Sequence, residues 1–252
     1  MEAQAPKTVA KTNILSLATT LRSSEDLLSE FKERFRDLKG EHRGVCKTEM
    51  FFVYATIADL KPAQILESGR ARGQSTYVLA KCFPEARVVS VELDTKSPDA
   101  AFAMDRLKVL PNVDCLFGDS RQLLMRHLKK GGPVLIDGPK GFRAIKLALN
   151  LLRTGLPSAV FIHDMSKGKP GRRFLERNLP DAFFSDHPDF IARYAGLDGN
   201  MVNTPGFSWA GFACIPGGVK RPYRLLLAKR ALERAAVVAS EKLWTRRSSS
   251  DK

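Results

Sequence analysis

From Pro62 onward the chain alternates short apolar runs with helical stretches of about a dozen residues, and that alternation constrains the fold more than any other feature. Residues 64–67, 87–92, 113–117, 133–137 and 159–163 read as strands, each followed by a segment of helical periodicity. Five such β-α repeats require a parallel sheet with helices on both faces. Two later strands are expected over 183–194 and 208–215, joined by the loop GLDGNMVNTPGFS. The expectation is a Rossmann-like, doubly wound α/β fold of about seven strands, mostly parallel, with an antiparallel strand in the last pair.

Ahead of the repeats, Ser23 or Ser24 caps a helix carrying Leu27, Leu28, Phe31, Phe35 and Leu38 and ending near Gly40; a second helix runs over 47–60 and stops at Pro62. A basic helix is expected over 221–244. The chain thus divides into a tail and helical cap (1–60), the β-α domain (61–220) and a basic helix with its tail (221–252). With 252 residues, 44% hydrophobic and 27% charged, it suits one large globular domain with trimmings.

Forty-one Lys and Arg against 27 Asp and Glu leave a net charge of +14, which attracts anions without saying whether they are nucleic acid, lipid or an acidic small molecule. Arginines and aromatics are not interleaved in the manner of a single-strand-binding groove, so nucleic acid as a partner rests on charge alone. The four cysteines are widely spaced; Cys82, Cys115 and Cys214 lie in apolar contexts and read as buried reduced thiols, which fits a cytoplasmic protein. No stretch approaches 18 apolar residues, so no transmembrane segment is expected.

The first strand ends in ILESGRARGQST, where Glu67, Gly69, Gly73 and Ser75 stand between strand and helix. Glycines there let backbone approach a ligand, and a helix start favours an anionic group. Glu92 closes the second strand about 20 residues on, where a carboxylate accepts hydrogen bonds from both hydroxyls of a ribose. Asp119 could meet an adenine amino group or simply cap the helix beginning near Arg121. Arg70 and Arg72 read as solvated arginines, the alternative being that one faces a ligand carboxylate.

Asp137 ends the fourth strand with Lys140 three residues later in LIDGPKG, and FIHDMSKG places His163 and Asp164 beside the same point. These side chains suit a general base or a hard divalent cation. His42, His127 and His187 have no partner at metal-ligand spacing and read as surface residues. A phosphate-binding G-x-x-x-x-G-K-[ST] loop, a G-x-S-x-G elbow and an N-P-P-Y segment are all absent.

Taken in order, E-S-G-R-A-R-G-Q-S, V-V-S-V-E, F-G-D-S and L-I-D-G resemble the successive motifs of class I S-adenosylmethionine-dependent methyltransferases over about residues 60–165. Within that superfamily the first motif is similar to the catechol and caffeoyl-CoA O-methyltransferase group, with Ala71 replacing a frequent glycine; I-D-G followed by H-D resembles bacterial small-molecule methyltransferases. The resemblance implies an S-adenosylmethionine cofactor with its methionine part near Gly69, Gly73 and Ser75, its ribose on Glu92 and its adenine near Asp119, with Glu67 and Asp137 also in the cofactor site. It further implies Lys140 or His163 as base, with Asp137 beside them, for a hydroxyl of a small-molecule or glycosidic acceptor of acidic type. A metal-dependent version would place Mg on Asp137 and Asp164, but the Asn expected after the aspartate is Met165. An RNA or other polyanion acceptor, a non-catalytic cofactor-binding protein and a nicotinamide binder are the alternatives; the sequence leaves the oligomeric state open.

Overall fold

A computed structural model describes residues 15–39, 41, 44–203 and 209–250, with side chains left undescribed at 200–203 and 242–250. Seven strands form one sheet: β1 (Gln64–Ser68), β2 (Arg87–Glu92), β3 (Val113–Phe117), β4 (Val134–Ile136), β5 (Ala159–Ile162), β6 (Phe183–Phe184) and β7 (Ala213–Pro216). Their order is β3-β2-β1-β4-β5-β7-β6. β1 to β5 are parallel, and β7 runs antiparallel to both β5 and β6. This is the doubly wound, mostly parallel sheet expected from the β-α repeats.

Along each strand alternate side chains enter different cores, as a pleat of period two requires. On one face Ile65, Val88, Phe161 and Cys214 pack with α1 (Leu17–Arg34), α2 (Lys47–Ile57), α3 (Gln74–Cys82), α4 (Pro98–Leu107) and α8 (Pro188–Tyr194). On the other, Leu66, Val89, Val160 and Ile215 meet α5 (Ser120–His127), α6 (Phe142–Arg153), α7 (Pro170–Asn178) and the start of α9 (Tyr223–Ser250). α2 is buried from Thr48 to Ile57 and apolar on nearly every side, so it is a core helix that continues into a 3-10 turn over Ala58–Leu60.

Three local expectations are corrected. α1 starts at Leu17, capped by Ser16 through Thr19, while Ser24 is buried and bonds back to Thr20 within the helix. The segment 183–194 is a two-residue strand followed by α8, because Pro188 takes the first turn behind His187, whose side chain accepts the Asp189 N–H. β7 begins at Ala213, later than expected. Cys82 and Cys214 are buried, Cys115 is half-buried, and all are free thiols. His127 is half-buried and His187 sits at the α8 cap, whereas His42 lies outside the described residues, as does part of the late loop.

Candidate functional site

The order in which the chain adds strands reverses between β1 and β4, the point at which an open parallel sheet leaves a crevice beyond its strand ends. The two strand ends touch there. Asp137 N–H and Gly138 N–H both donate to Ser68 O, at 2.7 and 2.9 Å. A Cβ on Gly69 would stand 2.4 Å from Gly138 N, so Gly69 is required by the approach of two backbones as well as by its φ of 87°.

Under the loop that follows β1, the Glu67 carboxylate is wholly enclosed. Ser75 Oγ donates to it at 2.5 Å and Ser90 Oγ at 2.6 Å, with Thr76 Oγ1 as a third donor. Burial nevertheless pushes its pKa up against those bonds. Glu67 and Ser75 therefore lie beneath the cradle and bind each other, fixing the start of α3 to β1 and β2. Gly73, with φ 76°, leads into α3 without a side-chain cap, and a Cβ there would meet Leu107 and Ala103 of α4 at 3.0 and 3.3 Å. Helix packing thus accounts for Gly73 as a glycine. Ala71 takes φ 43°, in the left-handed region where glycine carries no penalty.

Of the two loop arginines, Arg70 departs from the solvated reading, whereas the Arg72 side chain is 40% exposed. Arg70 is 1% exposed; its guanidinium donates to Ser90 O at 2.8 Å and lies over the Phe117 ring. Arg72 pairs with Glu41 and Asp99 and covers the Phe102 ring at 3.9 Å.

Glu92 stands at the rim. Its carboxylate accepts from Ala71 N at 2.9 Å and Leu93 N at 2.7 Å, stiffening the loop while the residue lines an open cleft of about 940 Å³. Leu93, Asp119, Gly138 and Pro139 line the same cleft. Leu93 is 73% exposed, an apolar side chain held beside a polar rim. Asp119 caps α5 through Arg121 N and is gripped by the Arg121 guanidinium, whose hydrogen bonds hold its carboxyl below the usual range. The cap is thus present, and the residue also faces the cleft.

Beyond Gly138 the charged side chains converge. His163 Nδ1 lies 2.6 Å from Asp137 Oδ1, and Lys140 Nζ bridges Asp137 at 2.5 Å and Asp164 at 2.6 Å. His163 is 7% exposed, and its Nε2 is 3.3 Å from Glu49 Oε2, a residue of α2 that the sequence did not single out. Glu49 in turn accepts from Gly211 N at 2.7 Å and Cys46 N at 3.0 Å. Burial alone would lower the His163 pKa, but the hydrogen bonds and charges of Asp137 and Glu49 outweigh it and raise it to about 10. Asp137 is correspondingly held down against its burial by His163 and Lys140. Lys140, also opposed by burial, is raised by Asp137 and Asp164. The imidazole is a clamped cation at neutral pH, whereas the Lys140 side chain, 53% exposed, is the group that can reach an incoming molecule.

Asp137, His163 and Asp164 bring donor atoms within 4.8 Å of one another, a spacing that suits a metal ion. In this arrangement the donors do not fit a divalent cation. The Lys140 ammonium occupies the gap between the two carboxylates, both nitrogens of His163 face carboxylates, and Met165 is packed in the core at 1% exposure.

No family model and no curated protein matches the chain. Among solved structures it is similar to the O-methyltransferase TomG of Streptomyces achromogenes, in complex with S-adenosylmethionine, at 18% identity over 81% of this chain and 97% of that one, with a TM-score of 0.44. It is also similar to the methyltransferase PaMTH1 of Podospora anserina, bound to S-adenosylhomocysteine, at 15% identity over 87% and 100% with a TM-score of 0.46. An O-methyltransferase of Bacillus cereus, in complex with the same product, shares 19% over 80% and 98% with a TM-score of 0.45.

Proposed function

We propose that this chain is a class I S-adenosylmethionine-dependent methyltransferase acting on a hydroxyl of a small molecule. The observation that carries the reading is the meeting, at one switch point of the sheet, of two half-sites of different chemistry. One is a slot with a strand-end carboxylate, Glu92, and apolar surfaces on Leu93 and Pro139. The other is the Asp137, Lys140, His163 and Asp164 cluster. Glu92 suits the ribose hydroxyls, Leu93 and Pro139 suit the faces of a purine, and Asp119 stands near its edge. Bound there, S-adenosylmethionine would supply an electrophilic methyl group on a sulfonium centre.

Within this reading Lys140 is the catalytic residue. Its Nζ, kept as the ammonium by Asp137 and Asp164, donates a hydrogen bond to the acceptor oxygen and stabilises the negative charge that develops there as the hydroxyl proton is lost to water. His163, flanked by carboxylates at both nitrogens, holds Asp137 in place and exchanges no proton in the working range. Asp137 and Asp164 hold Lys140 just beyond Gly138 and Pro139 of the cleft wall and supply the negative charge that keeps its ammonium there. With the gap between them filled by Lys140, the reaction needs no divalent cation. A preference for acidic acceptors follows from the chain's positive charge.

The test is transfer of labelled methyl groups to a panel of hydroxylated aromatic and glycosidic acceptors, with and without chelator. Activity indifferent to chelator and reduced about 100-fold or more in Lys140→Met is expected, since removing one donor to a developing oxyanion costs about 10²- to 10³-fold. Activity stopped by chelator and restored by Mg would overturn the role given to Lys140.

A further inference from the structure

The cleft does not end at the slot given to the cofactor. It continues along α6, past Met125 of α5 and beside α9, where Arg143, Lys146, Arg153, Arg230 and Arg234 line it. We infer that this continuation is a docking groove for the phosphodiester backbone of a single-stranded nucleic acid.

Four observations support it. The α6 positions 143, 146, 150 and 153 fall on one helical stripe, which puts three cations and Asn150 in a row along about 15 Å of helix. An ordinary solvated helix intersperses carboxylates at such spacings, but α6 has no Asp or Glu. Among the described residues none of the five cations is in an ion pair, and the acids lining the cleft, Glu92 and Asp119, each have donors of their own. The fourth is Arg230. It is 7% exposed, it donates to Phe142 O at 3.2 Å, and its Nε has no partner. Burial and then the neighbouring Arg234 both disfavour its charge, so two guanidiniums are held together without a counterion.

A row of point charges along a concave wall matches a chain of regularly spaced phosphates, and it reads charge without sequence. The cations line one wall of a cleft of about 940 Å³ that also holds the adenine and ribose slot, a space that admits the backbone of one strand along α6 and not a full duplex. An anionic membrane would prefer charges on a convex face. The inference does not rest on methyl transfer, because the groove residues lie outside the slot assigned to the cofactor.

The experiment is fluorescence anisotropy of a labelled oligouridylate of about 12 nucleotides, a length within the range of single-strand site sizes. Wild type is compared with Lys146→Gln/Arg153→Gln in the groove and Lys32→Gln/Lys39→Gln on the opposite face of the sheet, with circular dichroism and the urea unfolding midpoint as the check that each variant keeps its fold. Three to five phosphate contacts predict a log–log salt dependence of about −2 to −3.5. The groove pair should weaken binding about tenfold and flatten that slope by about 1.4, with the opposite-face pair near wild type. Equal loss in both pairs, no binding at low salt, or binding to phosphatidylserine vesicles without binding to the oligonucleotide would each overturn the groove.

Discussion

At the scale of single residues, the His163 imidazole is clamped between two carboxylates, Asp137 at Nδ1 and Glu49 at Nε2. Asp137, Lys140, His163 and Asp164 were legible in the sequence because each falls at or just beyond the end of a strand, where parallel sheets collect ligands. Glu49 was not. It sits at the third position of α2 and bonds the backbone N–H before that helix, which is an ordinary start-of-helix pattern; its second oxygen reaches Gly211, and only the fold brings it to His163. Because the fold raises the His163 pKa to about 10, above an unfolded value near 6.5, the stabilisation from its charge is complete below about pH 6.5 and is lost as pH climbs through about 10. The NMR signals of the His163 ring should therefore show no titration between about pH 5.5 and 8, and a midpoint near 6.5 would refute the clamp. Glu49→Ala leaves a buried imidazolium and two backbone N–H groups short of an acceptor, so urea unfolding should show a loss of about 3 kcal/mol or more.

Elements were legible where their periodicity was long or repeated. Five strands came from the β-α rhythm, whereas the two-residue β6 is too short to carry an alternation, and the aromatic run of α8 has strand-like composition that only the Pro188 start contradicts. The glycine loop after β1 was recognisable, but its reasons were not. Gly69 answers to the backbone of another strand end and Gly73 to the side chains of α4, neither of which can be read from spacing. Gly69→Ala should cost about 2 kcal/mol or more in unfolding free energy, from strained φ and backbone overlap together. Gly155→Ala just after α6, with φ 71° and nothing within 4 Å of the added Cβ, should cost only about 1 kcal/mol. Equal costs would mean that the two strand ends can separate.

For the molecule as a whole, the switch-point cleft is the proposed seat of S-adenosylmethionine. The surplus of positive charge was visible in the composition, but its concentration on α6 and α9 beside that cleft depended on how the helices pack. Among the described residues no helix is long and apolar enough to cross a membrane. The measurement that tests the claim most directly is calorimetric titration of the purified protein with S-adenosylhomocysteine, repeated on Glu92→Gln, which keeps the shape of the side chain and removes its charge. Saturable binding to the wild type, weakened tenfold or more in the variant by the loss of about 1.5 to 3 kcal/mol of charge-assisted hydrogen bonding, is the predicted result. Unchanged affinity in a folded Glu92→Gln variant, or tighter binding of NADH than of S-adenosylhomocysteine, would contradict it.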